Sequence, residues 1–120
     1  MTADDFRRTA LGMQGAVEGQ HMSHPDFRAG GRIFATLSAD AAWGMVQLTP
    51  AQQQEFVGLE PDMFVPAKGA WGRGGSTMVR LAVADHETVG QAMTLAWQGA
   101  MKKAKARPIT RRPAKRTRGR

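Results

Sequence analysis

The 120-residue chain contains no cysteine. That absence removes disulfide frameworks, thiolate metal sites and a cysteine nucleophile together, and it suits a reducing compartment. No apolar run approaches the roughly 18 residues that a membrane-spanning helix requires. The opening MTADDFRR carries two acids where a secretory leader would place basic residues before an apolar core. The expectation is a soluble, cytoplasmic protein with no membrane partner. A third absence is local: residues 102–120 hold ten lysines and arginines and no acid, whereas residues 1–101 hold seven basic residues against ten acids, a net charge of −3. The overall charge of +7 therefore belongs to the C-terminal segment, and any inference from basicity to polyanion binding starts there rather than in the domain.

What is present is enough for one compact domain, since 42% of the residues are hydrophobic and the length is too short for two ordinary cores. Thr2 followed by Asp5 resembles a capping box. With Phe6, Ala10 and Met13 on one stripe, it predicts a helix over residues 2–13. Gly30-Gly31 between two short stretches is a hairpin signal, and RIFATL (Arg32 to Leu37) has the composition of a buried strand. WGMVQLT (Trp43 to Thr49) reads as the next strand, with Val46 and Leu48 on one face. Thr49-Pro50-Ala51-Gln52 combines a threonine cap, a first-turn proline and a glutamine able to reach back to the cap, so a helix starts there and ends before Pro61. MFVPAK forms a short extended piece that Pro66 confines to an edge. Thr77, Val79, Leu81 and Val83 alternate as in a half-buried strand.

Asp85 is placed to cap a last helix with an apolar stripe of Val89, Met93, Ala96, Trp97, Ala100 and Met101, closed by Lys102 and Lys103. This order of elements predicts an α+β fold, a two-layer sandwich with an antiparallel sheet packed on helices. Residues 1–103 form the domain. Residues 104–120, rich in Arg, Lys and Pro, form a basic tail that is too polar to bury a core and is expected to be disordered.

The segments HPDFRAGGRIFATL (His24 to Leu37), LTPAQQQEF (Leu48 to Phe56) and GAWGRGGSTMVRL (Gly69 to Leu81), taken with their order and spacing, resemble the MmcQ/YjbR family of small proteins. The resemblance covers about residues 2–100. It implies a frataxin-like (CyaY-like) α+β fold and a label of DNA-binding protein that rests on the shape of two projecting wings. One departure is LGMQGAVEG, which lacks a proline in the turn after the first helix. The basic tail lies outside the resembling segments and inherits no function from them.

The glycine-rich segment AWGRGG (Ala70 to Gly75) fails as a nucleotide motif. Ser76 follows Gly75 rather than a lysine, which excludes a P-loop, and Thr77 with a following strand excludes a dinucleotide fingerprint. It reads instead as a glycine hairpin with Arg73 at its tip, free to meet a phosphate, and with Trp71 as a core anchor; stacking of Trp71 on a base is the alternative. His21 and His24 are spaced as H-x-x-H, but neither a helix nor a third ligand accompanies them, so a local turn is favoured over a metal site. Ser23 beside them lacks a nucleophile elbow. No catalytic group, metal or cofactor is expected, and the chain reads as a non-enzymatic protein.

Ten cations in the last nineteen residues suit diffuse contact with a polyanion through counterion release. The expectation is nucleic-acid binding of low specificity, with DNA favoured over RNA. The tail supplies affinity through Lys102, Lys103, Lys105, Arg107, Arg111, Arg112, Lys115, Arg116, Arg118 and Arg120. Arg32, Lys68, Arg73 and Arg80, on or near hairpin loops, orient the domain. The alternatives are a module that binds another protein and an unrecognised enzyme or small-ligand-binding protein that uses the region around His21, Trp43 and Trp71.

Overall fold

The computed structural model describes the backbone of residues 1–111 and the side chains of residues 1–104. The elements follow the order α1 (Ala3–Leu11), β1 (Val17–His21), β2 (His24–Ala29), β3 (Arg32–Leu37), β4 (Trp43–Gln47), α2 (Pro50–Leu59), β5 (Phe64–Pro66), α3 (Gly69–Arg73), β6 (Ser76–Arg80), a 3-10 turn (Leu81–Val83) and α4 (His86–Arg111). The six strands form one open antiparallel sheet in the order β1-β2-β3-β4-β6-β5. Pro66 thus lies on an edge strand, where its missing N–H costs no ladder bond. The architecture is the α+β arrangement of sheet and helices that the sequence predicts.

Alternation along the strands separates two faces. Phe27, Ala35, Val46 and Thr77 are register partners across β2, β3, β4 and β6, and all four are buried. Phe64 and Val79 continue this face into β5 and β6. α4 covers it with Val89, Ala92, Met93, Ala96 and Ala100, at the spacing of one helical stripe. α1 adds Phe6, whose ring centroid lies 6.3 Å from that of Phe27, and α2 adds Phe56 at 5.2 Å from Phe64. Burying each such ring contributes about 2 kcal/mol, so these contacts hold the helical layer to the sheet. The opposite row, Thr36, Met45, Met78 and Val65, is only half-buried.

The helix starts are written in local chemistry. Thr2 and Thr49 each accept a hydrogen bond from the amide three residues on, while Asp5 and Gln52 accept from the Thr2 and Thr49 amides, completing two capping boxes. Asp85 accepts from the Thr88 N–H at 2.7 Å and from its hydroxyl at 3.0 Å, opening α4. Gly30 and Gly31 at φ 61° and 78° form the β2–β3 turn, as a two-residue hairpin of this hand demands.

One sequence expectation is corrected, and one strand pair was not foreseen. Leu81 and Val83 do not extend the strand: the ladder ends at the Trp43–Arg80 pair, the Leu81 N–H makes one last bond to the Ala42 carbonyl at 3.2 Å, and the chain then turns into 3-10 geometry. β1 and the β1–β2 hairpin emerge where the sequence has neither alternation nor a glycine turn; Met22 and Ser23 occupy the turn at φ 51° and 66°. The backbone of α4 continues past Lys103 to Arg111, and residues 112–120 lie outside the described residues.

Candidate nucleic-acid interface

Nine basic side chains lie among the described residues, and three of them are committed to acids. Arg7 donates to Asp4 and Glu18, each at 3.0 Å; Arg8 donates to Asp5 at 3.0 Å; Arg28 donates to Asp26 at 2.8 Å. The other six, Arg32, Lys68, Arg73, Arg80, Lys102 and Lys103, form no ion pair among the described residues. These six are the sequence-nominated positions whose side chains are described. Lys105, Arg107, Arg111, Arg112, Lys115, Arg116, Arg118 and Arg120 lie outside the described side chains.

Arg32, Lys102 and Lys103 come together. They border a groove of about 1080 Å³ beside the C-terminal half of α4, which Gln47, Gln52 and Trp97 also line. β3 delivers Arg32 directly after the Gly30-Gly31 turn, and α4 delivers the two lysines beyond its buried stripe. The Trp97 indole N–H donates to the Gln14 carbonyl at 2.8 Å, which fixes the ring against the α1–β1 connection. Among the described residues no acid lines this groove. Its walls offer cations and amide donors, the groups that meet phosphate oxygens.

Lys68 and Arg80 belong to a second place, on the sheet face opposite α4. A cleft of about 660 Å³ there is walled by Trp43, Val65, Pro66 and Met78, with Lys68 and Asp40 also in its lining. The Arg80 guanidinium lies 4.5 Å from the centroid of the Trp43 ring and donates from Nε to the Asp62 carbonyl at 3.1 Å. Arg80 is thus held by a cation–π contact and a backbone bond. Asp40 is occupied internally: it accepts from the Ser38 hydroxyl at 2.6 Å and from the Ala42 N–H at 3.0 Å, and these bonds hold its carboxyl below the usual range.

The segment AWGRGG is not the tight glycine turn that its composition suggests. β5 and β6 do pair antiparallel, but α3 spans Gly69–Arg73 in the connection between them, with Lys68 at its N-cap and Arg73 as its last residue. Gly72 is demanded by space, because a Cβ there would lie 1.8 Å from the Ala67 carbonyl oxygen. Trp71 is 76% exposed. It is therefore no core anchor: in a one-turn helix whose buried residue is Gly72, the neighbouring indole points to solvent. Lys68, Trp71 and Arg73 thus form an exposed cation–aromatic–cation set on one short element.

The histidines serve a different arrangement. His21 and His24 are cross-strand partners flanking the β1–β2 turn, with ring centroids 6.4 Å apart. Among the described residues no group of three histidine or acidic side chains is placed to hold a metal ion. Behind them lies a carboxylate that the sequence reading missed. Asp26 is fully buried, accepts from Arg28 at 2.8 and 3.1 Å, and accepts from the His21 Nδ1–H at 2.8 Å. The Arg28 bonds chiefly hold its carboxyl below the usual range, against the opposing effect of burial. Gly19 leaves room for the pair, since a Cβ there would meet Asp26 Oδ1 at 2.9 Å. The signal was available as Asp26-Phe27-Arg28, which places opposite charges two residues apart on one strand face. With its lone pairs taken up by Arg28 and His21, this carboxylate braces the hairpin.

No family model matches the chain, and no curated protein matches it. Among solved structures, the crystal structure of Deinococcus radiodurans protein DR2400, which contains the family-model domain DUF419, superposes with a TM-score of 0.68. The match covers 87% of this chain and 88% of that one at 16% sequence identity. The chain shares that protein's fold. No helix among the described residues is long and apolar enough to cross a membrane.

Proposed function

We propose that this chain is a non-enzymatic, nucleic-acid-associated protein of the cytoplasm, related to the MmcQ/YjbR family, that binds phosphate backbones electrostatically and with low specificity. The observation that carries the reading is the partition of charge. Three arginines are neutralised by acids, whereas the six nominated cations form no ion pair among the described residues, and three of them border one acid-free groove. The eight further cations of residues 105–120 follow in the chain after Lys102 and Lys103, so domain and tail contact one polyanion from adjoining positions. Affinity arises from released counterions, and the groove sets where the domain sits along the backbone.

The test is a titration of duplex DNA and of duplex RNA at about 50 and 200 mM salt, with about five neutralised phosphates giving a slope of log affinity against log salt near −4.5 on DNA. The joint substitution of Arg32, Lys102 and Lys103 by alanine is expected to flatten that slope by about 0.9 for each phosphate that is no longer neutralised. A second variant, with Arg111, Arg112, Lys115, Arg116, Arg118 and Arg120 replaced by glutamine, is expected to lose most of the affinity. Absence of binding by the unmodified chain at the lower salt overturns the reading and favours a protein partner instead.

A further inference from the structure

We propose that the domain's second cation group, Lys68, Trp71, Arg73 and the Trp43–Arg80 pair, is a single-strand site that takes unpaired bases by stacking. This rests on the nucleic-acid reading above and specifies the ligand. Duplexes present phosphates and groove edges but keep the faces of their bases covered, so a binder of duplex phosphates gains nothing from an aromatic surface. This region has that surface. Trp71 is 76% exposed on α3, an area of indole that water solvates poorly, and it stands between Lys68 at the N-cap and Arg73 at the last position of the same helix. Lys68 also lines the apolar cleft of about 660 Å³ whose wall includes Trp43, with the Arg80 guanidinium 4.5 Å above that ring.

Alternating cations and aromatics of this kind match the repeat of a single strand, phosphate then base, and stacking is tolerant of sequence because every base has a π-face. The cleft floor of Val65 and Met78 is apolar, as the face of a base requires, and the acid in its lining, Asp40, is bound to Ser38 and Ala42. The groove beside α4 contains amides and cations and has its one tryptophan pinned to Gln14. That groove suits backbone phosphates, so the two places have different chemistry.

The experiment is fluorescence-anisotropy binding of the full chain to a labelled single strand of about 16 nucleotides, as DNA and as RNA, and to the matching duplex. Trp71→Ala, Trp71→Phe and Arg73→Ala are compared with the unmodified chain. Because Trp71 is exposed, these variants are expected to melt as the parent does. Trp71→Ala is expected to weaken either single strand about tenfold and to leave duplex affinity unchanged, while Trp71→Phe retains most of the binding because it retains a ring. Quenching of tryptophan fluorescence by the unlabelled strand should be reduced in the alanine variant. Equal losses on strand and duplex, or no loss on the strand while the duplex still binds, overturns the stacking site and leaves the electrostatic reading standing. If neither form binds, the electrostatic reading itself falls and this inference falls with it.

Discussion

A methyl group at Gly75 would lie 1.9 Å from the Leu48 carbonyl oxygen, at a φ of 110° that no side chain adopts comfortably. The same residue's carbonyl accepts the Leu48 N–H at 3.1 Å, so the backbone of the β4–α2 connection runs directly against it. In the sequence, Gly72, Gly74 and Gly75 look alike, and all three invite the reading of a pliant turn. Packing separates them: Gly72 and Gly75 are required by neighbouring carbonyls, whereas a Cβ at Gly74 would meet nothing closer than 3.5 Å. Gly75→Ala is therefore expected to lower stability by about 3 kcal/mol, from strain and steric clash together. Arg73→Ala, two residues away and exposed, should stay within about 0.5 kcal/mol. Chemical denaturation of the two variants beside the parent checks this, and equal midpoints for Gly75→Ala and parent would refute it.

At the scale of elements, the sequence disclosed what depends on near neighbours and concealed what depends on distant ones. The α2 start was legible because Thr49, Pro50 and Gln52 act on each other within one turn. The Gly30-Gly31 hairpin was legible because the required backbone hand appears in the residue types. The β1–β2 hairpin was not, since its turn places Met22 and Ser23 in the left-handed region and its cohesion comes from Asp26 joining Arg28 to His21. α3 was also hidden, because a five-residue helix containing two glycines has no propensity of its own and is tied to α2 through the bond that Gln53 donates to the Gly72 carbonyl. Of the candidate site, the cation positions were legible but the exposure of Trp71 was not.

Gln53 makes that dependence testable. Its side-chain amide is buried and donates to the Gly72 carbonyl at 3.0 Å and to the Ser76 carbonyl at 2.9 Å, so α2 organises the end of α3 and the start of β6 together. Gln53→Leu keeps the volume but leaves two carbonyls without these donors, at a cost of about 2 kcal/mol. Amide exchange should then quicken from residues 72 to 77 rather than across the whole chain, and a uniform change would show that the bonds are incidental.

Across the whole molecule, acids and bases are used in different ways. Four carboxyls are held below their ordinary value of 3.8: Asp5, lowered to about 2 chiefly by the Thr2 N–H; Asp26 by Arg28; Asp40 by the Ser38 hydroxyl; and Asp85 by the Thr88 N–H. Each folded value lies below the unfolded one, so the unfolded chain binds more protons in that window and the stabilisation is lost as the pH falls. The contribution is complete above about pH 4 and disappears on the way down through the folded values, to about pH 2 for Asp5. In the same interval the 17 lysines and arginines lose their counter-charges, and self-repulsion acts in the same direction. The chain is therefore expected to hold its fold down to about pH 4 and to unfold below it. A variant carrying Asp5→Asn, Asp26→Asn and Asp85→Asn should melt well below the parent at neutral pH, because it lacks the charge-dependent bonds throughout. Its melting temperature should then fall less steeply in acid, so the gap between the two proteins narrows as the parent's carboxyls protonate. Thermal melts of both proteins at successive pH values decide the matter: a gap that stays constant from neutral pH to pH 2 would mean that these carboxylates stabilise the fold by shape alone.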